Sequence, residues 1–291
     1  MPPRCGTAQG KYMQYRVLAL DLDGTLTNTE KKITPRTKAA LLQAAALGVH
    51  LVLASGRPTV GIEKLAKELS LAENGGYILS YNGGRIVDCA SGAVLVDHAF
   101  PPAVVGEVCA FARENGATAL TYDARGVLSE HPDDPYVQEE ARINGIPAHR
   151  VRDLAAAVDF PVNKFLLVGS PAHMPHVEEK MQQQFAGRLS IYRSQPFFIE
   201  TMPLGIEKSA SLAVLLDRLG LAPENLMACG DGWNDLPMLQ FAGLGVAMGN
   251  AVPEVRMAAG FVSADNDHDG VGLAVEKFIL KEVAPRELDR I

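Results

Sequence analysis

Residues 17–26 read Val17-Leu18-Ala19-Leu20-Asp21-Leu22-Asp23-Gly24-Thr25-Leu26. An unbroken apolar run followed by acids suits a strand buried on both faces of a parallel sheet. Side chains two apart on an extended chain project to the same side, so Asp21 and Asp23 face one space. In open α/β sheets the carboxyl ends of the strands are where ligands bind. Two acids this close repel unless a cation neutralises one or one keeps its proton. Either outcome is useful chemistry. A metal-bound carboxylate can attack as a nucleophile, and a protonated neighbour can serve as general acid. The plainer alternative is a strand ending in a polar turn, with Gly24 at positive φ.

Distant partners support the chemical reading. Gly230-Asp231-Gly232-Trp233-Asn234-Asp235 follows a second apolar run, Leu226-Met227-Ala228-Cys229. A second acid cluster at a second strand end is what an oxygen-liganded Mg2+ site needs, because Mg2+ keeps several waters and few carboxylates suffice. Between the clusters lie Ser55-Gly56-Arg57, after Leu51-Val52-Leu53-Ala54, and Lys208 near a helix start. A hydroxyl, free backbone N–H groups at a helix N-terminus and an ammonium make a phosphate site.

These residues carry a resemblance. The order DxDGTL, SGR, a lone Lys in Gly205-Ile206-Glu207-Lys208-Ser209, then GDGWND resembles the haloacid dehalogenase superfamily of phosphohydrolases. Ser80-Tyr81-Asn82-Gly83-Gly84, Phe198-Ile199-Glu200 and Asn266-Asp267-His268-Asp269-Gly270-Val271 resemble its Cof-type subfamily. The likeness runs from about residue 15 to 281. Ser209 stands where the family commonly has Gly, and Ser55 where Thr is common, which keeps the hydroxyl.

The resemblance implies a Rossmann-like, doubly wound α/β core with an inserted α+β cap of type IIB. It implies Asp21 as nucleophile forming an aspartyl-phosphate, and Asp23 as general acid and then base. Mg2+ is expected on Asp21, Asp231, Asp235 and the backbone carbonyl of Asp23, with Asp235 acting directly, through water, or by orienting Lys208. Leu22, Ser55, Gly56, Lys208 and Asn234 are the expected phosphate contacts, and Lys208 steadies the anionic transition state. Arg57 is left between substrate and solvent. Helix N-terminal charge is the alternative for Asp235, and a plain helix cap for Ser55.

The 291 residues suffice for two domains, and 47% hydrophobic with 21% charged content is that of a globular protein. The net charge of −7 argues against a general nucleic-acid or anionic-membrane binder. Cys5, Cys89, Cys109 and Cys229 form no CxxC pair, which points to reduced thiols in a cytoplasm. The longest apolar stretch, Ala44 to Ala54, is broken by Gly48 and His50, so no membrane span is expected. No signal pattern opens the chain; residues 1–14 read as an extension, with Met13 an alternative start.

Strands over 16–21, 49–54 and 77–81 alternate with helices over 35–47 and 58–69, the first opened by Thr34-Pro35 and stopped at Gly48. Residues 84–98 read as a hairpin turning at Ser91-Gly92. A mixed stretch follows, with helices at 102–115, 135–144 and 174–186 and strands at 118–123, 126–130, 162–168 and 188–193. Alternation is expected to resume with a strand at 198–202, then helices at 207–219, 235–242, 253–258 and 270–281 and strands at 225–229, 244–247 and 261–263. The expected division is core 1–84, cap 85–197 and core 198–291. Asp269 is the expected N-cap of the last helix, and His173 and His176 a solvated helix face. Trp233 is expected to pack on the cap or floor the cleft. Arg125, Arg142, Arg150 and Arg193 take a surface role by default.

The leading function is Mg2+-dependent hydrolysis of a small phosphorylated metabolite. A phosphomutase on the same core is the first rival and a non-catalytic phosphometabolite sensor the second.

Overall fold

The structure is a computed structural model describing residues 14–281; residues 1–13 of the expected 1–14 extension, with Cys5 and Met13, lie outside the described residues. Along the chain run β1 (Val17–Leu20), α1 (Pro35–Ala46), β2 (His50–Ala54), α2 (Thr59–Glu68), β3 (Tyr77–Ser80), β4 (Arg85–Asp88) and β5 (Val94–Asp97). Next come α3 (Pro102–Glu114), β6 (Thr118–Asp123), β7 (Gly126–Ser129), α4 (Pro135–Asn144), β8 (Ala148–Arg150), α5 (Leu154–Ala157), β9 (Phe165–Val168), α6 (Met174–Gln184), β10 (Leu189–Gln195) and β11 (Phe198–Pro203). The chain closes with α7 (Lys208–Leu219), β12 (Leu226–Gly230), α8 (Leu236–Phe241), β13 (Leu244–Ala247), α9 (Pro253–Ala258), β14 (Phe261–Val262) and α10 (Gly270–Val275).

Two sheets result. The first is eight-stranded, in the order β14-β13-β12-β1-β2-β3-β4-β5, parallel except for the antiparallel β4 and β5. Strand β1 lies between β2 and β12 and is buried at every position, as a strand covered on both faces must be. Leu20 pairs with Leu53 on one side and Cys229 on the other. The polar segments that follow these strands therefore emerge side by side, at the point where connections leave in opposite directions. Thr34 and Pro35 open α1 as expected, the threonine hydroxyl accepting from the Thr37 N–H.

The second sheet is six-stranded, β10-β11-β9-β6-β7-β8, antiparallel but for the β7–β8 pair. Alternate residues serve its two faces. Phe165, Leu167 and Ile199 join the cluster under α3 and α6, whereas Leu166, Val168 and Phe198 join the one that holds Tyr81 from the first sheet's side. The same period of two turns Glu200 with Phe198 toward the cleft between the sheets.

Two expected placements are corrected. The 84–98 hairpin, assigned to the cap, extends the first sheet, because Tyr77–Ser80 finds its next partner in Arg85–Asp88. The strand at 198–202, assigned to the core, lies inside the second sheet, hydrogen-bonded to β10 and β9. Apolar residues at 198, 199 and 202 suit a buried strand in either sheet, and the long-range pairing decides between them. The last helix is shorter than expected, with a π turn over Glu276–Leu280 after α10. Asp269 holds the N-cap position, but its carboxylate accepts from Thr34 Oγ1 at 2.5 Å instead of capping α10.

Candidate active site

Asp21 emerges from β1 buried, and Lys208, at the start of α7, is buried beneath it. The Lys208 ammonium reaches Asp21 Oδ1 at 2.6 Å, Asp235 Oδ1 at 2.7 Å and the Ala54 carbonyl at 2.9 Å. Asp235 Oδ2 accepts from the N–H groups of Asp231 and Gly232, both at 3.0 Å, so Asp235 orients the lysine and folds the loop after β12 with one carboxylate. Thr25 Oγ1 donates to Asp231 Oδ1 at 2.7 Å. Gly24 makes that approach possible: it sits at φ +84°, and a Cβ there would lie 2.4 Å from Asp231 Oδ2.

Oxygens of Asp21, Asp231 and Asp235 lie within 4.8 Å of one another, the one such cluster among the described residues. Burial, and then the Asp235 charge, push the Asp21 carboxyl up to about 8 despite its ion pair with Lys208. Burial also lifts Asp231 to about 6, against the pull of the Thr25 hydrogen bond. Three crowded carboxylates with one ammonium leave excess negative charge, and a hard divalent cation fits such a donor set.

Asp23 behaves in the opposite way. Burial works to raise its carboxyl, but Arg57 and then Lys31 outweigh it and hold the group below the usual range. Arg57 forks onto it with bonds of 2.7 and 2.6 Å, and Lys31 adds one of 2.8 Å. Ser55 Oγ accepts from the Arg57 N–H at 3.2 Å, while the N-cap of α2 is Pro58 and no side chain caps it, so Ser55 is not the plain helix cap. Among the described residues, the backbone N–H groups of Leu22 and Gly56 meet no acceptor. Ser55, Gly56 and Asn234 line a cleft of about 270 Å³ together with Asp21, Asp23, Asp231 and Asp235.

The second sheet roofs that cleft. Lys164 meets Glu200 at 2.6 Å and the Gly56 carbonyl at 3.4 Å, and Glu140 and Asn144 of α4 stand beside them.

A sequence profile of the haloacid dehalogenase-like hydrolases matches residues 18–275. The chain belongs to that family. A haloacid dehalogenase-like hydrolase structure from Bacteroides thetaiotaomicron is similar at 44% identity and a TM-score of 0.88, over 90% of this chain and 99% of that one. The 5-amino-6-(5-phospho-D-ribitylamino)uracil phosphatase YcsE of Bacillus subtilis is 29% identical over 94% of this chain and 100% of its own. A structure described as the subclass IIB sugar phosphatase BT4131 shares 26% identity and a TM-score of 0.71, covering 90% of this chain and 98% of that one. The expected family and α/β fold are borne out.

Within this hydrolase the structure brings Asp21, Asp23, Ser55, Gly56, Asn234, Asp231 and Asp235 to one cleft, with Lys208 below it. Leu22 contributes only backbone, its side chain being fully buried. Trp233 does not floor the cleft: 59% exposed, it lies outside the cleft lining. Arg125, Arg142, Arg150 and Arg193 pair with Asp123, Glu139, Asp133 and Glu178, and none lines the cleft. His173 Nε2 lies 2.8 Å from the Asn115 carbonyl.

Arg57, left between substrate and solvent in the sequence, takes neither place and closes on Asp23. Sequence reasoning missed two further participants. Lys31 was unmarked. Asn82 accepts from the Asn234 amide at 3.1 Å and donates to Tyr192 Oη of β10 at 3.3 Å, linking both sheets. Its signal was the Tyr81-Asn82-Gly83-Gly84 run, which takes positive φ at Tyr81, Asn82 and Gly83.

Proposed function

We propose that this protein is a Mg2+-dependent phosphohydrolase of the cytoplasm, cleaving phosphate monoesters of small metabolites, sugar phosphates or related compounds, through a phosphoryl group held on Asp21. One observation carries the reading: a buried carboxylate at a strand end, gripped by Lys208 at 2.6 Å and crowded by Asp231 and Asp235, opens onto a cleft. The phosphatase names of YcsE and BT4131 support the reaction class. Free thiols at Cys89, Cys109 and Cys229 support a reducing compartment.

Asp21, Asp231 and the Asp23 carbonyl would hold Mg2+, with Asp235 bracing the site. When bound, Mg2+ would neutralise phosphoryl charge that otherwise repels the attacking carboxylate. Asp21 attacks phosphorus in line, the bond to the leaving oxygen breaks, and Asp23 gives that oxygen a proton. Asp23 then takes a proton from water, whose oxygen attacks the acyl phosphate and frees Asp21. Lys208 fixes the attacking carboxylate. Ser55 Oγ, Asn234 and the N–H groups of Leu22 and Gly56 bind phosphoryl oxygens. Asp23 can carry a proton only outside the Arg57 fork, so the reading requires Arg57 to release it when substrate enters.

The residues of the second sheet and its helices would form the cap that closes over the substrate. The decisive experiment is hydrolysis of p-nitrophenyl phosphate with and without Mg2+. Turnover is expected only with the cation, and Asp21→Asn is expected to lower it on the order of 10⁴-fold or more. Beryllium fluoride with Mg2+ is expected to form an adduct on Asp21. Retained turnover in Asp21→Asn overturns the mechanism.

A further inference from the structure

Six carboxylates line the cleft, those of Asp21, Asp23, Glu140, Glu200, Asp231 and Asp235, against two cations, Arg57 and Lys164. Neither cation is free. Arg57 is forked onto Asp23, and the Lys164 ammonium is held at 2.6 Å by Glu200, with the two side chains 5% and 13% exposed. The roof carries a further carboxylate, Glu140, whose Oε1 accepts from Tyr122 Oη at 2.6 Å and from Asn144 Nδ2 at 2.7 Å. Acceptors there are undersupplied with donors. Glu200 Oε2 has the ion pair but no well-directed hydrogen bond, and buried Asn144 Oδ1 has no partner.

We propose that the roof built from Glu140, Asn144, Lys164 and Glu200 selects a leaving group that is uncharged or cationic and rich in hydroxyl or amine donors, and rejects one bearing a second anionic group. The inference rests on the phosphohydrolase reading above. A second phosphate or carboxylate brought under this roof would lose water beside Glu200 and Glu140 and find the roof's own cation, Lys164, already engaged. It could gain Lys164 only by displacing Glu200 and leaving that carboxylate buried without a partner. Hydroxyl and amine donors meet the opposite situation, since they bring hydrogens to a cleft lined mostly by carboxylates. The rejection comes from a repulsive element placed against the wrong ligand, which discriminates more sharply than an added attraction.

The test uses the full chain with Mg2+ and substrate pairs that differ by one carboxylate: glucose 6-phosphate against 6-phosphogluconate, and glycerol 3-phosphate against 3-phosphoglycerate. Glucosamine 6-phosphate adds a cationic member, and p-nitrophenyl phosphate reports the reaction itself. In the wild type, kcat/KM is expected to favour the uncharged member by about tenfold or more in at least one pair, with glucosamine 6-phosphate accepted as well as glucose 6-phosphate. Glu200→Gln releases Lys164, and is expected to reduce or invert that preference by about tenfold. Without turnover of p-nitrophenyl phosphate, the phosphohydrolase reading falls and takes this inference with it. With such turnover, equal cleavage within both pairs, or cleavage of neither member of either pair, overturns the roof's role and leaves the reading standing. So does a Glu200→Gln enzyme that slows every substrate equally. The wild-type ranking needs no variant to fold.

Discussion

Two buried lysines face each other across one cleft and are held in different ways. Lys208, in the floor, has two carboxylates and a carbonyl within 2.9 Å and lies wholly under the surface. Lys164, in the roof, has one carboxylate at 2.6 Å and a distant carbonyl, and lines the cavity. The floor's charges stand at the ends of adjacent parallel strands and move only if the sheet moves. The roof's charges sit on a separate antiparallel sheet, where Glu200 pairs with Leu166 just past Lys164. Rigid placement suits the group that attacks phosphorus, and a separable wall suits the choice of what is attached to it.

The contrast can be broken most directly at the lysines. Lys208→Met leaves Asp21 and Asp235 buried without their cation, and a loss of ~3–5 kcal/mol of stability is expected in denaturant melts. Added Mg2+ is expected to restore part of it. Lys164→Met is expected to cost less, about 1–3 kcal/mol. Equal losses would erase the distinction between the two walls.

Asp23 sharpens the comparison, since it stands on the floor yet is 38% exposed and held by two cations, Arg57 and Lys31. Asp23→Asn is expected to lower kcat/KM ~10²–10⁴-fold on an alkyl phosphate. A smaller loss is expected on p-nitrophenyl phosphate, whose leaving group needs no proton. A loss independent of the leaving group would remove Asp23 from proton transfer.

The floor also makes stability depend on pH. Burial and neighbouring charge raise Asp21 from 3.8 to about 8, and burial raises Asp231 from 3.8 to about 6. The folded state thus binds protons that the unfolded chain releases. Without divalent cation the contribution of these two groups to stability is full below about 4 and is lost as pH rises toward 8. Mg2+ competes with those protons, so its thermal upshift is expected to be larger at pH 8 than at pH 5.5. Melting curves at the two pH values check this, and an equal shift at both would place the cation elsewhere.

The smallest expected effect is at the joint between the walls. Tyr192→Phe removes the 3.3 Å bond to Asn82, which in turn receives the Asn234 amide. A rise in KM of at most about tenfold, with kcat little changed, is expected from steady-state kinetics.

Much of this was legible in the chain. Continuous apolar runs before Asp21, Ser55 and Asp231 mark strands buried on both faces, because such strands bury every residue whatever their neighbours. The acids and hydroxyl after them followed from local position and the order of motifs, and Lys208 from that order alone. The second sheet was legible as a change of texture. Its membership was not: Phe198-Ile199-Glu200-Thr201-Met202 reads as a strand, and nothing within it says which strands it joins.

By itself, then, the sequence determined the alternating core, the catalytic candidates and their family, because these depend on residue type, period and order. Only the tertiary structure decided that Arg57 and Lys31 close on Asp23, that Asn82 ties Asn234 to Tyr192, and that Lys164 and Glu200 cancel each other over the cleft. Those facts join residues 8 to 152 positions apart. A hydrogen bond or ion pair forms between neighbours in space, and no local pattern in a chain records which distant residue that neighbour is.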